Sequence, residues 1–283
     1  MLSSQPKALT GDGKTINPGD GIVPILKEIP GKKLIVVGTG FYITRYGLFL
    51  TACHVLDDMH NDKNELISRG FVVHRGSKSN VHFRQILCFH RYKNSDLAIG
   101  HAENYFRKVP NNPLMNLRGT LTGVLPQVGS TLVTYAYPEN RTLDFSNKAN
   151  LNEIRGNYFT GKLLRYVPVP EDPIMPCGYL ETTIEIRSGA SGGPVFTEDG
   201  RIIGVNCAGW DFGNIKEGEE SLSYVVPVIE GLPIRVSNLE LPEKSWELEQ
   251  IPEYWSGKEL DLSLLVKFGH VKFDPPLPLD KLS

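Results

Sequence analysis

No apolar run in this chain approaches the ~18 residues that a membrane-spanning helix needs, so no membrane span is expected. The opening, MLSSQPKALTGDGKTINPGDG, lacks a basic start followed by an apolar stretch. It does not read as a secretory signal, and residues 1–20 read instead as a flexible arm. Cysteine is scarce. Cys53, Cys88, Cys177 and Cys207 stand far apart, with no Cys-x-x-Cys pair and no metal-ligand spacing. Without an export signal, reduced thiols in a cytoplasm are the expectation. An excess of one charge is missing too, since 30 Lys and Arg face 32 Asp and Glu for a net charge of -2. That balance offers no electrostatic footprint for nucleic acid or an anionic membrane. The histidines include no His-Glu-x-x-His, which argues against metal-assisted hydrolysis, and no metal or cofactor is expected.

What is present suits a globular chain of many short elements. Hydrophobic residues make up 40% and charged residues 22%, enough for a core, while 28 Gly and 20 Pro point to frequent turns. From Lys32 to Leu56, KKLIVVGTGFYITRYGLFLTACHVL reads as strand, glycine break, strand, tight turn and strand, with a short helix possible just after His54. Further strand-like runs follow up to SDLAIGHA. Ala102 to Thr120, with two prolines and several Asn, reads as a linker. Strand signals then resume from STLVTYAYP to SLSYVVPVI. Two sets of about six short strands imply an all-β protein of barrels or a sandwich. The expected divisions are a first unit over 21–112, a second over 113–230, and a Pro- and Glu-rich extension over 231–283. That extension carries an amphipathic patch near Leu262 to Val271. It either wraps back over the barrels or docks a partner.

One stretch asks for a chemical explanation. EIRSGASGGPVF, Glu185 to Phe196, crowds three glycines, two serines and a proline between strand-like runs. Turn chemistry alone accounts for Gly and Ser in such a place. A loop shaped to present Ser191 is the narrower reading, and a nucleophilic serine needs a base, a group that orients the base, and oxyanion donors. His54, in FLTACHVL, ends an apolar strand and so stands at a rim. Asp96, in KNSDLAIG, leads directly into an apolar run; such a carboxylate ordinarily caps a turn, or it can be buried against an imidazole N–H. Asp57 and Asp58 are nearer to His54 in sequence but are expected to be solvated. Small residues around Ser191 let a carbonyl approach the backbone, so that the N–H groups of Gly189 and Ser191 can face an oxyanion.

Together these features resemble the trypsin-like serine peptidases of the chymotrypsin fold. The order His, Asp, Ser is met by Thr51-Ala52-Cys53-His54, by Ser95-Asp96-Leu97-Ala98 and by Gly189-Ala190-Ser191-Gly192-Gly193-Pro194. Gly38-Thr39-Gly40-Phe41 looks like the family's approach to its histidine. SGGPVFTEDGRIIGVNCAGW is similar to bacterial HtrA-like members, and SLSYVVPV to their final barrel strand. The resemblance spans roughly Val36 to Ile229. It implies two orthogonal six-stranded β-barrels, a catalytic triad of His54, Asp96 and Ser191, an oxyanion hole at Gly189 and Ser191, and protein or peptide substrates.

The chain also departs from the family. Ala190 stands where secreted trypsins carry an aspartate that pairs with a newly cut N-terminus, so activation of that type is not expected. A PDZ-like module after the barrels is not expected. The family's S1 position, six residues before the serine, is Glu185, which implies either cleavage after Arg and Lys or a carboxylate that faces solvent or Arg187. The pocket walls implied are Cys207, Ala208 and Gly209, with Leu222 or Ser223 nearby. Cys53 reads as a small buried hydrophobe. Two alternatives to a constitutive endopeptidase stay open: a latent enzyme switched on by a partner that docks on residues 231–283, and a silent barrel that binds extended peptides.

Overall fold

The structure, a computed structural model, describes residues 8–9, 15–16, 21–31, 33–45, 47–57, 59, 67–75, 81–103, 118–138, 142–144, 154–171, 173, 175–209, 222–236 and 260–278. Within the stretch expected as an arm, β1 (Ala8–Leu9) and β2 (Thr15–Ile16) pair as a short antiparallel ribbon. Six strands then form the first barrel: β3 (Ile22–Ile29), β4 (Lys33–Tyr42), β5 (Leu48–Ala52), β6 (Gly70–Arg75), β7 (Val81–Tyr92) and β8 (Leu97–Ala102). Their neighbours run β4-β3-β6-β7-β8-β5, and a pairing of β4 with β5 closes the ring. Over Lys33–Val37 strand β4 alternates between buried and more open residues; from Gly38 onward both of its faces are covered. That is where the second half of the chain packs on it.

The second half begins with β9 (Thr131–Ala136) and β10 (Thr142–Asp144). Strand β10 does not stay in its own half but adds to β4 across Lys33–Ile35. The strands β11 (Asn157–Val167), β12 (Tyr179–Thr182), β13 (Pro194–Phe196), β14 (Ile202–Gly209) and β15 (Ser223–Pro227) join β9 in a second closed barrel, in the order β11-β12-β15-β14-β13-β9. Its interior is a separate apolar cluster that includes Leu132, Leu163, Leu180, Ile184, Val195, Ile203 and Val225. The all-β, two-barrel architecture is thus the one that the resemblance implied.

The expected linker is described only from Arg118, and 104–117 lie outside the described residues. Of the C-terminal extension, β16 (Arg235–Val236) pairs with β17 (Leu260–Asp261), and α2 (Leu262–Lys267) follows, while 237–259 lie outside. The Asp261 carboxylate caps α2 by accepting from the Leu264 N–H at 2.8 Å, and Leu262 and Leu265 join the large apolar cluster that runs from the first barrel into the second half. Beyond the helix the chain returns to the seam between the halves. Arg118 donates to the carbonyls of Gly269 (2.9 Å) and His270 (2.5 Å). Leu121 makes parallel bridges to both Ile202 and Phe273, and Arg201 bonds Asp274 at 2.9 Å. Residues 260–278 therefore lie over the barrels.

One polar cluster is sealed into the first half. Arg84, only 3% exposed, donates to the Tyr42 hydroxyl at 2.7 Å and to the Glu103 carbonyl at 2.6 Å. His74 is buried beside them, its ring centroid 6.0 Å from that of Tyr42. Burial first, then the charges of Arg84 and His82, push the His74 pKa down from 6.5 to about 4. The folded chain thus holds His74 neutral in a window where the unfolded chain takes up a proton. The stability this gives is complete above pH 6.5 and is lost as pH falls toward 4. The loss should reach about 3 kcal/mol. Urea unfolding at pH 7 and pH 4.5 should show the gap narrowing in His74→Gln, and an equal gap in both proteins would contradict the assignment.

Candidate active site

Strand register brings the histidine to the aspartate. In the antiparallel pair β5–β8, Leu50 faces Ile99, Thr51 faces Ala98 and Ala52 faces Leu97. One step further, the Cys53 N–H donates to the Asp96 carbonyl at 2.8 Å. His54 then lies in the short helix α1 (Cys53–Asp57), directly over Asp96. Both carboxylate oxygens of Asp96 are used on it: Oδ1 accepts from the His54 backbone N–H at 3.1 Å, and Oδ2 lies 2.9 Å from Nδ1. Asp96 ends a 3-10 turn (Lys93–Ser95) with φ of 50°, a left-handed geometry that Asp tolerates better than bulkier residues do. His54 is 43% exposed and Asp96 20%, so the pair opens on one side through the imidazole. Asp57 is also exposed, yet it is paired with Arg91 at 2.6 Å rather than merely solvated. Asp58 lies outside the described residues.

The Ser191 loop is anchored to the same edge of the first barrel. The Thr39 N–H donates to the Ser191 carbonyl at 2.8 Å, and the Thr39 hydroxyl to the Gly189 carbonyl at 2.9 Å. That hydroxyl in turn accepts from the Tyr137 N–H at 3.0 Å, and Thr51 bonds the Thr39 carbonyl at 2.7 Å. From the other side, Asn206 accepts from the Gly192 N–H at 2.7 Å and donates to the Gly193 carbonyl at 2.9 Å. Among the described residues, the N–H groups of Gly189 and Ser191 have no acceptor within the chain.

Two of the loop glycines have a specific cause. Gly189 and Gly192 carry φ of 88° and 85°, in the left-handed region where a Cβ is strained. At Gly192 a Cβ would also stand 2.1 Å from the Thr51 hydroxyl and 2.2 Å from the Thr39 carbonyl. Gly192→Ala should therefore destabilise the fold by roughly 2–4 kcal/mol, from strain and overpacking together. A thermal midpoint within a degree of the parent's would refute this account of the loop.

Of the residues expected to form the substrate pocket, Cys207, Ala208, Gly209 and Ser223 lie together where β14 meets β15, with Gly209 opposite Ser223. Ala208 is half-buried and Gly209 exposed, at the open end of β14. The Cys207 thiol is buried and lies 3.7 Å from the Asp96 carbonyl. The cause is a β-bulge, because the β14–β15 register shifts between Asn206 and Ala208 and so re-aims Cys207. Ser223 is no open wall, being fully buried with its hydroxyl 2.6 Å from that of Thr182. Glu185 faces its neighbour, with Oε1 2.8 Å from the Arg187 Nε; the two side chains are 44% and 58% exposed. Thr39, Thr51 and Asn206 hold the loop; each lay within a string that carries the resemblance, but none was read there as an anchor of the loop. Among the described residues no cluster of His, Cys, Asp and Glu has the makings of a metal site.

A family model for the trypsin-like peptidase domain matches residues 38–205, a span that contains His54, Asp96 and Ser191. The chain belongs to the trypsin-like peptidases. Among solved structures, the crystal structure of Deg5 is similar over 74% of this chain and 84% of its own, with 20% identity and a TM-score of 0.50. At that identity the likeness is one of fold. No curated protein matches the sequence. As a trypsin-like peptidase the protein acts on protein substrates, and no helix among the described residues is long and apolar enough to cross a membrane. The family match ends at Val205, so Cys207, β15 and the segment 260–278 lie beyond it.

Proposed function

We propose that this trypsin-like peptidase is a serine endopeptidase working through Ser191, His54 and Asp96. The observation that carries the reading is the double engagement of Asp96, which spends one oxygen on the His54 backbone and the other on Nδ1. That pairing favours the tautomer with its proton on Nδ1 and leaves Nε2 as the basic nitrogen. Nε2 takes the proton from the Ser191 hydroxyl as its oxygen attacks the scissile carbonyl. The N–H groups of Gly189 and Ser191 hold the oxyanion of the tetrahedral intermediate. Collapse expels the amine, which receives the proton from His54, and water then hydrolyses the acyl-enzyme by the same path in reverse. None of the four cysteines forms a disulfide, which suits a reducing compartment.

The test is labelling with a fluorophosphonate probe, with Ser191→Ala as the control. Rapid labelling of Ser191 alone supports an assembled site. No labelling of the full chain would count against constitutive activity and turn the search to a partner that docks on the C-terminal extension. The free N–H groups of Gly189 and Ser191 favour the assembled form over the latent one.

The Glu185–Arg187 pair bears on specificity. A carboxylate as exposed as that of Glu185 would hold a cationic substrate side chain no more strongly than it holds Arg187, in an ion pair whose net contribution is small. We therefore propose that Glu185 is not a determinant of P1 charge. Glu185→Ala should alter the ratio of cleavage after Arg or Lys to cleavage after apolar residues by no more than about fivefold. Profiling on a peptide library checks this, and abolition of Arg and Lys cleavage would reverse the conclusion.

A further inference from the structure

Two thiols of the second barrel meet the first barrel at the backbone that carries the aspartate of the proposed triad. The 3-10 turn that presents Asp96 is weakly held by itself: Tyr92 at its start makes no side-chain cap, and the Asp96 N–H reaches the Lys93 carbonyl at 3.4 Å. The bonds that fix its far end come from elsewhere. The Cys53 N–H takes the Asp96 carbonyl at 2.8 Å, and the Cys207 thiol lies 3.7 Å from that same oxygen. The Cys177 thiol has one proton for two acceptors, the preceding carbonyl, that of Ser95, at 3.7 Å and the carbonyl of its own neighbour Gly178 at 3.3 Å. Cys207 is the bulged residue of β14, and Cys177 closes the turn that leads into β12. Two separate elements of one barrel thus deliver sulfur to two successive carbonyls of the other.

Both thiols are buried. Burial first, with Glu230 and Asp96 adding, pushes the Cys177 pKa up to about 12, and burial lifts Cys207 well above its ordinary value. Each sulfur therefore keeps its proton and remains a donor, weak by nature but free of competition from water; Cys207 directs its S–H to Asp96, and Cys177 shares its own between Ser95 and Gly178. A cysteine that only fills space has no need of a carbonyl in the direction of its S–H.

We propose that Cys177 and Cys207 are positioning residues: a pair of thiol donors from the second barrel that fixes the Ser95–Asp96 backbone and so holds the Asp96 carboxylate on His54. The proposal rests on the reading of Ser191, His54 and Asp96 as the catalytic group. It ties the orientation of the imidazole to the docking of the two barrels, since the donors and the carbonyls lie on opposite sides of the seam.

The test compares the full-length protein with two double variants, Cys177→Ala with Cys207→Ala, and Cys177→Ser with Cys207→Ser. Two readouts are taken. One is the NMR signal of the His54 Nδ1–H proton, which reports its bond to Asp96 whether or not Ser191 is reactive. The other is the rate of fluorophosphonate labelling across pH 5–9. The serine pair keeps both donors and should retain the signal and a near-parental rate. The alanine pair should lose or shift the signal and label about tenfold more slowly, as expected for two modest hydrogen bonds. An alanine pair with the parental signal and rate would overturn the proposal. So would a serine pair impaired as much as the alanine pair, since filling would then be the whole role, or a parent protein without the signal. Asp96→Asn is the separating control: loss of the signal with an unchanged labelling rate would sink the catalytic reading and leave the thiol contact standing.

Discussion

Ser191→Ala is expected to lower kcat by roughly 10⁶, His54→Ala to lower it about as far, and the double variant to be no worse than either single one. The non-additivity is the informative part. If His54 acts only by taking the Ser191 proton, it has nothing to do once the hydroxyl is gone. What survives should be the modest rate supplied by substrate binding and by the N–H groups of Gly189 and Ser191. Steady-state kinetics on one peptide substrate for the four proteins closes the cycle. Losses that multiplied would mean that the two residues serve separate steps.

Asp96→Asn should cost about 10⁴ in kcat, with little change in KM. The geometry says why so small a change is severe. Both Asp96 oxygens act as acceptors, one for the His54 backbone N–H and one at Nδ1. An amide can accept at only one of these places. If its oxygen keeps the backbone N–H, its NH₂ group faces Nδ1, and the imidazole must carry its proton on Nε2, where a base is needed. The variant should fold normally, because the backbone bonds from Cys53 to Asp96 and along β5–β8 are untouched. An unaffected rate would mean that another carboxylate serves. Asp57 is the nearest alternative, but it is committed to Arg91.

Much of this site is written in short local strings. Gly189 to Pro194 carries its own turn chemistry, and His54 and Asp96 each sit next to an apolar strand whose end can be read by eye. What could not be read is what connects the strings. Thr39 looks like one more β-branched strand residue; only the fold shows its hydroxyl linking Tyr137 to Gly189, partners 98 and 150 residues away. Cys207 was expected on the pocket wall because the family resemblance implied it there, beside Ala208 and Gly209. A one-residue bulge, which leaves no mark in the sequence, turned it toward Asp96. Glu185 illustrates a different gap. An offset from the nucleophile sets a backbone position, but a surface side chain follows its nearest opposite charge, here Arg187. The ribbon of β1 and β2 within the expected arm rests on two-residue strands, below the length at which alternation carries a signal.

The seam sewn by residues 260–278 bears on how the protein is made. Leu121 receives its partner Phe273 only after some 150 further residues have been synthesised, and α2 adds Leu262 and Leu265 to a core whose other members come mostly from the first barrel. A ribosome releases the nucleophile loop well before it releases this closing stitch. The two halves can therefore each collapse during translation, but their mutual alignment is completed last. Proteolytic competence should accordingly appear as a late event in the life of a nascent chain, after the polypeptide that might have been its first victim is already folded.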